Sequence, residues 1–377
     1  MGTGKVLFHA NAAASFLAGH YSGINRVTYE FLCALSKRGR LPVEFSLYLQ
    51  GLKSRKHLLA DLPFGTRQFY WPNRIQTDKI LQYLPIRESL SRFDLFHVPH
   101  NFDYCFSVGK TIVTLHDAMI YAYPQEFPNT KIYKDREEEL RVLLRRCRAI
   151  LTCSYNSKHD ILKHVDIPEE KVYVAPWGVN RDLYNPDALT EPEQDQIRTL
   201  VGQKPFFLSV SCDVGRKNTV SVVRAYREFV RQNPDHNLVL VWGGIPESII
   251  EECRACENGK VILIDRLDDI KLSLLYKAAT ALFFVSKYEG FGLPLLESMS
   301  CGTPVVTCRN SSLIEVGGDA AIFVAPDDIS EIAEVMENFE NGAYDSAMLR
   351  ERSICQSEMY SWDQCVEKTL ACYQDNL

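Results

Sequence analysis

No stretch of this chain reaches the roughly 18 consecutive apolar residues of a membrane-spanning helix, so no such span is expected. The apolar start Val6-Leu7-Phe8 is broken by His9 and Asn11, too soon for the core of a secretory leader. Gly2-Thr3-Gly4-Lys5 lacks the earlier glycine and the following hydroxyl of a phosphate-binding P-loop. Gly-x-Ser-x-Gly, His-Glu-x-x-His and Gly-x-Gly-x-x-Gly are all missing, which removes the main support for hydrolase, zinc-protease and dehydrogenase readings. Asp-x-Asp is missing too, and with it the paired carboxylates that would hold a divalent metal on a diphosphate. The 12 cysteines are scattered, and the single Cys-x-x-Cys, Cys253 and Cys256, has no second pair at zinc spacing. Reduced thiols and a coincidence of helix spacing are expected. There is no internal repeat and no low-complexity tract.

What is present is ordinary in bulk. A chain of 377 residues, 46% hydrophobic and 24% charged, suits a globular protein of two domains. The net charge of −6 is unevenly placed. Residues 1–185 carry 25 Lys+Arg against 18 Asp+Glu, and the rest carries 17 against 30. A basic front half fits an anionic partner or membrane surface; unevenly distributed solvated charge fits as well. No nucleic-acid partner is expected.

Short β-rich runs alternate with amphipathic helices, which predicts parallel sheets covered on both faces. In the front half the strands are 6–10, 94–98, 111–115, 149–153 and 171–175. A helix is expected over Gly23–Lys37, with Ile24, Val27, Phe31 and Leu35 on its buried face. Another is expected over 135–148, buried through Leu140, Leu143, Leu144 and Cys147, with Glu137 four residues before Arg141. The back half reads as six strands, 206–211, 237–242, 260–264, 281–286, 304–307 and 321–324. The proline-bearing stretch 176–205 marks the change of domain.

The densest information lies between Glu289 and Glu297. The apolar run Ala281–Val285 leads to Gly290-Phe291-Gly292-Leu293-Pro294 and then to a helix, with proline expected at its first position and Gly302 just past its end. A strand, a glycine turn and a helix start make an anion site, because the first backbone N–H groups lack partners inside the helix. Two carboxylates at its rim suit a ligand that also offers hydroxyls. A nucleotide sugar has both features.

Other polar clusters follow strands, where doubly wound sheets bind ligands. Gly215-Arg216-Lys217-Asn218 puts two cations at a helix start, fit for a diphosphate or simply solvated. Asp265-Arg266 ends another back-half strand. His116-Asp117 ends a front-half strand: a histidine for a sugar hydroxyl, or one held by its neighbouring carboxylate. Gly19 to Arg26, including Gly23, is a short polar turn suited to phosphate or acceptor, or an ordinary turn. His97 and His100 flank Pro99 and read more readily as core or loop histidines than as acceptor contacts.

Together these residues resemble the GT-B retaining glycosyltransferases of glycosyltransferase family 4. YEGFGLPLLESMSCGTPVVT is similar to that family's Glu-seven-residues-Glu signature, and GRKN to its diphosphate motif. TLHD, SYNSKHD, VYVAPWGVN and NSSLIEVGGDAAIFVAPDD also match. The resemblance is dense over 206–328, fair over 94–185 and weak before 90.

It implies two Rossmann-like doubly wound α/β domains facing across a cleft: an acceptor domain over 1–185, a donor domain over 186–360, and a crossover helix over 361–377 returning to the N-terminal domain. It implies that Arg216 and Lys217 bind the donor diphosphate and Glu297 the ribose. Glu289 and the backbone of Gly290, Phe291, Gly292 and Leu293 would meet the transferred sugar, with His116 near its anomeric carbon. Gly23, Asp265 and Arg266 complete the donor-binding candidates. The implied activity is a metal-independent retaining hexosyl transfer, with no cofactor beyond the donor, GDP-mannose or a UDP-hexose. Segments 94–125 and 310–320 resemble mannosyltransferase-like members. A glycan or lipid-linked oligosaccharide acceptor is expected, in surface polysaccharide synthesis. The expected location is the cytoplasm, with peripheral association at the inner membrane face through the basic front half.

A nucleotide-sugar epimerase on the same fold and a catalytically inactive nucleotide- or glycan-binding module are the alternatives. Three departures stand out: Asn25 where glycine is usual, Ser211-Cys212 where Val-Gly is usual, and Ile314 where proline is common.

Overall fold

The computed structural model describes residues 4–20, 22–70, 92–100, 108–126, 130–211, 215–232, 234–256 and 259–377. Cys212, half of the turn noted above, lies outside the described residues, as do Gly2 and Thr3. The chain forms two units, one of residues 1–178 with 361–377 and one of residues 179–360. The change of unit thus comes at 178, ahead of the expected 185, and the C-terminal helix belongs to the first unit.

The first unit is built on a seven-stranded sheet. Its strands are β1 (Lys5–His9), β2 (Glu44–Gln50), β3 (Gly65–Phe69), β4 (Leu95–Val98), β5 (Thr111–Thr114), β6 (Ala149–Thr152) and β7 (Val172–Val174). Their spatial order is β3-β2-β1-β4-β5-β6-β7, every pairing parallel. β2 and β3 are absent from the sequence reading. β3, GTRQF, sits at the sheet edge and nowhere has two adjacent apolar residues. An edge strand covered on few sides needs no continuous apolar run.

The helix Gly23–Lys37 has the expected limits and is capped by Ser22 Oγ, which accepts from Asn25 N. Val27, Phe31 and Leu35 are buried as expected, whereas Ile24, in the first turn, is 39% exposed. The second helix runs Lys131–Arg146, starting earlier than expected. Its Glu137–Arg141 pair forms at 3.0 Å. The C-terminal helix Trp362–Asn376 starts from a Ser361 cap. Tyr373 fixes it to the sheet: its hydroxyl meets His97 Nδ1 at 2.6 Å, and His97 Nε2 meets Thr114 Oγ1 at 2.7 Å.

The second unit has six parallel strands: β8 (Phe206–Ser211), β9 (Asn237–Trp242), β10 (Val261–Ile264), β11 (Ala281–Phe284), β12 (Val305–Cys308) and β13 (Ile322–Val324). All six are those read from the sequence. Their order is β10-β9-β8-β11-β12-β13. The chain winds outward from β8 to β10, then returns to the other side at β11. The strand order therefore reverses between β8 and β11, and such a reversal is where sheets of this kind bind ligands. The ten described cysteines are free thiols. No described helix is long and apolar enough to cross a membrane.

Candidate active site

The loops after β8 and β11 carry the charged residues singled out above. Glu289 Oε1 lies 2.9 Å from Arg216 Nη1 and 2.8 Å from Lys217 Nζ. The three side chains are 9%, 15% and 11% exposed, so the cluster is nearly dry. Burial alone would push the Glu289 carboxyl up; Lys217 and then Arg216 outweigh it and hold the group below its ordinary value. Arg216 Nη1 also donates to Tyr288 O at 2.7 Å, and Lys217 Nζ sits over the Phe284 ring at 4.7 Å. Lys287 N donates to Arg216 O at 2.8 Å, tying the two loops together.

Asn218 explains how two adjacent cations are presented. Its φ is 55°, a left-handed conformation that asparagine tolerates better than most side chains. Buried at 2% exposure, it donates through Nδ2 to Pro326 O (2.6 Å) and Val285 O (3.3 Å) and accepts through Oδ1 from Ser221 Oγ (2.8 Å). The helix Thr219–Phe229 begins directly after it.

The Glu289 loop is braced from the segment after β12. Ser311 Oγ accepts from Glu289 N at 3.0 Å, and Ser312 Oγ is 2.9 Å from both Glu289 O and Phe291 O. Phe291 is itself core, its ring edge-on to Tyr360. Gly292 caps the next helix at φ 105°, where a Cβ would also meet Leu313 at 3.1 Å. That helix is Leu293–Ser300, so Pro294 stands at its second residue, not its first. Leu293 and Gly290 are half-buried.

Glu297 projects from the same helix into the interior, where Oε2 accepts from Tyr276 Oη at 3.1 Å. Arg216, Lys217 and Glu289 are therefore in direct contact, while Glu297 is held one helix turn or more further along by a different partner. Asp265 and Arg266 are exposed at the end of β10, two strands from the reversal. Asp265 Oδ1 accepts from Gly244 N at 2.6 Å, and Arg266 lies against Gly243. Both shape the loop after β9.

In the first unit, His116 follows β5 and packs edge-on to Trp177 at 5.2 Å. Burial, then His100, lowers its pKa to about 3 against a hydrogen bond to the Pro99 carbonyl, so it is a neutral imidazole. Its neighbour Asp117 caps the following turn through Met119 N at 3.0 Å. His97, Trp177, Trp362 and Thr152 join His116 around a cavity of about 40 Å³. His97 is a core histidine, its pKa also lowered to about 3 by burial and then by His116. Gly23 is exposed at the first position of its helix, and Asn25 Nδ2 turns back to His20 O at 2.7 Å. Ser311, Ser312 and Tyr276 had no site role in the sequence reading, and Asn218 entered it only as the last member of the cluster 215–218, without a role of its own. An asparagine closing a strand-to-helix turn was the available signal for Asn218; Ser311 and Ser312 stand in the matching segment NSSLIEVGGDAAIFVAPDD, where the resemblance gave them no role.

Comparison with known proteins gives this geometry a family. Residues 190–354 match the model "Glycosyl transferases group 1", and residues 21–183 match "Glycosyltransferase Family 4". The chain belongs to the family 4, group 1 glycosyltransferases. Between them the two models take in most of the glycosyltransferase, one on each unit. It is 26% identical to O-antigen chain mannosyltransferase B of Escherichia coli over 284 residues, 74% of this chain and 72% of that one. It is also 26% identical to O-antigen chain mannosyltransferase RfbU of Salmonella typhimurium, over 60% of each chain. Among solved structures, Anabaena Alr3699/HepE in complex with UDP-glucose aligns with a TM-score of 0.71 at 15% identity, covering 99% of this chain and 100% of that one. At that identity the likeness is one of fold, the GT-B arrangement of two Rossmann-like domains.

Proposed function

We propose that this glycosyltransferase moves a hexose, mannose from GDP-mannose in the leading reading, onto a glycan or lipid-linked saccharide during surface polysaccharide synthesis. The observation that carries the donor assignment is the cation pair at the β8/β11 reversal. Arg216 offers a planar fork and Lys217 a point charge, and a diphosphate is the ligand that uses both. The mannosyltransferase relatives support the sugar, and the UDP-glucose complex of Alr3699/HepE supports a nucleotide-sugar donor.

In this reading the diphosphate leaves against Arg216 and Lys217, which stabilise the charge that develops on it without a metal. Glu289 and the backbone of Gly290 to Gly292 hold the sugar, and Glu297 holds the ribose. The acceptor hydroxyl forms its bond to the anomeric carbon on the face from which the phosphate oxygen departs. That oxygen takes the hydroxyl proton, so configuration is retained. His116, neutral and buried edge-on to Trp177, would serve as a hydrogen-bonding group and not as a cation.

A donor screen by thermal shift tests the assignment. A nucleotide sugar at about 100 times its dissociation constant should stabilise the donor unit by roughly 2.7 kcal/mol. Stabilisation by GDP-mannose and not by UDP-hexoses names base and sugar together; no shift with any nucleotide sugar refutes the reading. Turnover should survive a chelator, and its abolition would refute the metal-free diphosphate site. The proposed location is the cytoplasmic membrane face, held by the basic first unit. Vesicle association that is insensitive to salt would remove that part.

A further inference from the structure

We infer that Glu289 is an internal stand-in for the donor diphosphate, and that it makes the site discriminate between a nucleotide sugar and the free nucleoside diphosphate left after transfer. The inference rests on the donor reading above, and adds to it what Glu289 does when no sugar is bound.

One carboxylate oxygen, Oε1, bridges both cations at 2.9 and 2.8 Å. That is the place a bridging phosphate oxygen would take between the same two groups. The cations do not depend on the carboxylate for their position. Arg216 keeps its bond to Tyr288 O, and Lys217 keeps the Phe284 face. The carboxylate is thus the exchangeable member of the cluster.

A diphosphate that enters must displace it, and the displaced carboxylate has little water to turn to, being 9% exposed. A buried charge stripped of its partners is costly, so whatever displaces Glu289 must also re-partner it. A nucleotide sugar does so, because its hexose hydroxyls are hydrogen-bond donors attached directly to the diphosphate. A free nucleoside diphosphate has phosphate oxygens there and no such donors. After transfer the hydroxyls depart with the hexose, Glu289 returns to Arg216 and Lys217, and the nucleoside diphosphate is expelled.

Isothermal titration of UDP, GDP and inorganic pyrophosphate, alongside UDP-glucose and GDP-mannose, tests this on wild type, Glu289→Gln and Glu297→Gln. Glu289→Gln should bind the matching nucleoside diphosphate about ten-fold tighter or more, the equivalent of one charge-assisted hydrogen bond no longer competing. Its nucleotide-sugar affinity should stay level or fall, so the preference inverts. Glu297→Gln alters the carboxylate assigned to the ribose, a group common to both ligands, and should weaken nucleotide sugar and nucleoside diphosphate alike without inverting the preference.

Equal affinity in wild type and Glu289→Gln, or an equal rise in Glu297→Gln, overturns the inference while leaving the donor site standing. No binding of any nucleotide to wild type overturns both. Should Glu289→Gln not fold, Glu289→Asp keeps the charge but draws it back by one methylene, and a smaller rise in nucleoside diphosphate affinity is expected; no rise overturns the proposal.

Discussion

Replacing Asn218 should damage the donor unit more than replacing any exposed residue near it, and the size of the effect follows from three hydrogen bonds and one dihedral angle. The amide donates to Pro326 O and Val285 O and accepts from Ser221 Oγ; the last two bonds are buried and the first is half-buried. Asn218→Ala removes all three. Leaving the buried Val285 carbonyl without this donor costs about 1–3 kcal/mol, losing the half-buried bond to Pro326 about 0.5–1.5 kcal/mol, and alanine at φ 55° adds about 1 kcal/mol. A loss of about 3–5 kcal/mol is expected, allowing for partial rearrangement. Asn218→Gly should recover about 1 kcal/mol of that, because glycine accepts the dihedral freely. Asn218→Asp should be the worst, since it sets an acceptor against the Pro326 carbonyl where a donor belongs.

The assay is calorimetry, following the transition that nucleotide sugar shifts upward. For a unit of this size each kcal/mol moves the midpoint by roughly 2–4 °C, so Asn218→Ala should melt about 10 °C early. Because Lys217 is the adjacent residue, donor affinity should fall in the same order as stability. An Asn218→Asp protein that melts with wild type, or above Asn218→Ala, would show that the amide is not what holds the turn.

Three further outcomes are expected. Gly178→Ala would put a Cβ 2.0 Å from Trp362 N and 2.4 Å from Ser361 C, both backbone, where no rotamer change relieves the clash. It should cost the first unit about 3 kcal/mol or more by chemical denaturation, whereas Gly65→Ala, with open space around it, should be near neutral. Lys217→Met should lower kcat/KM for the nucleotide sugar by about 10- to 100-fold, one charge-assisted contact, with the fold retained by circular dichroism. Acid should weaken the first unit before the carboxylates titrate. His97 and His116 have folded pKa values of about 3 against 6.5 unfolded, so the unfolded chain binds the protons and stability falls as pH drops below 6.5. At pH 5 the loss should reach about 2 kcal/mol per histidine, and a denaturation midpoint unchanged between pH 7 and 5 would contradict their burial as neutral rings.

The second unit was legible because its four inner strands are covered on both faces and so read as short, nearly continuous apolar runs, and its edge strands β10 and β13 are apolar as well. Phe206–Ser211 and Asn237–Trp242 are buried almost throughout. The first unit was half legible for the same reason turned round. β1, β4, β5 and β6 lie inside the sheet, while β3 lies at its edge with Gly65, Arg67 and Gln68 among its five residues. β2, EFSLYLQ, lies inside the sheet between β1 and β3, but glutamate, serine and glutamine break its apolar run. Ile24 failed for a different reason. Helical spacing places it on the stripe of Val27, Phe31 and Leu35, but the first turn of a helix projects past the layer that would cover it.

At the site, charge was legible and support was not. Arg216, Lys217 and Glu289 declare themselves because each ends a strand in a doubly wound pattern, and ion pairing between them is what two strand ends at a reversal produce. The residues that hold them in place act across long separations. Asn218 reaches Pro326 over 108 positions and Ser312 reaches Glu289 over 23, and within the first unit Tyr373 likewise reaches His97 over 276. Nothing local marks a serine or a tyrosine as such a support, since each is an ordinary residue in its own helix. Their consequence is nonetheless functional. A carboxylate poised to exchange places with a diphosphate must move while the loop beneath it stays still. Ser311 on the amide of Glu289 and Ser312 on its carbonyl hold that backbone without touching the carboxylate. Removing Ser312 should therefore loosen binding of nucleotide sugar and nucleoside diphosphate alike, in contrast to Glu289→Gln, which separates the two.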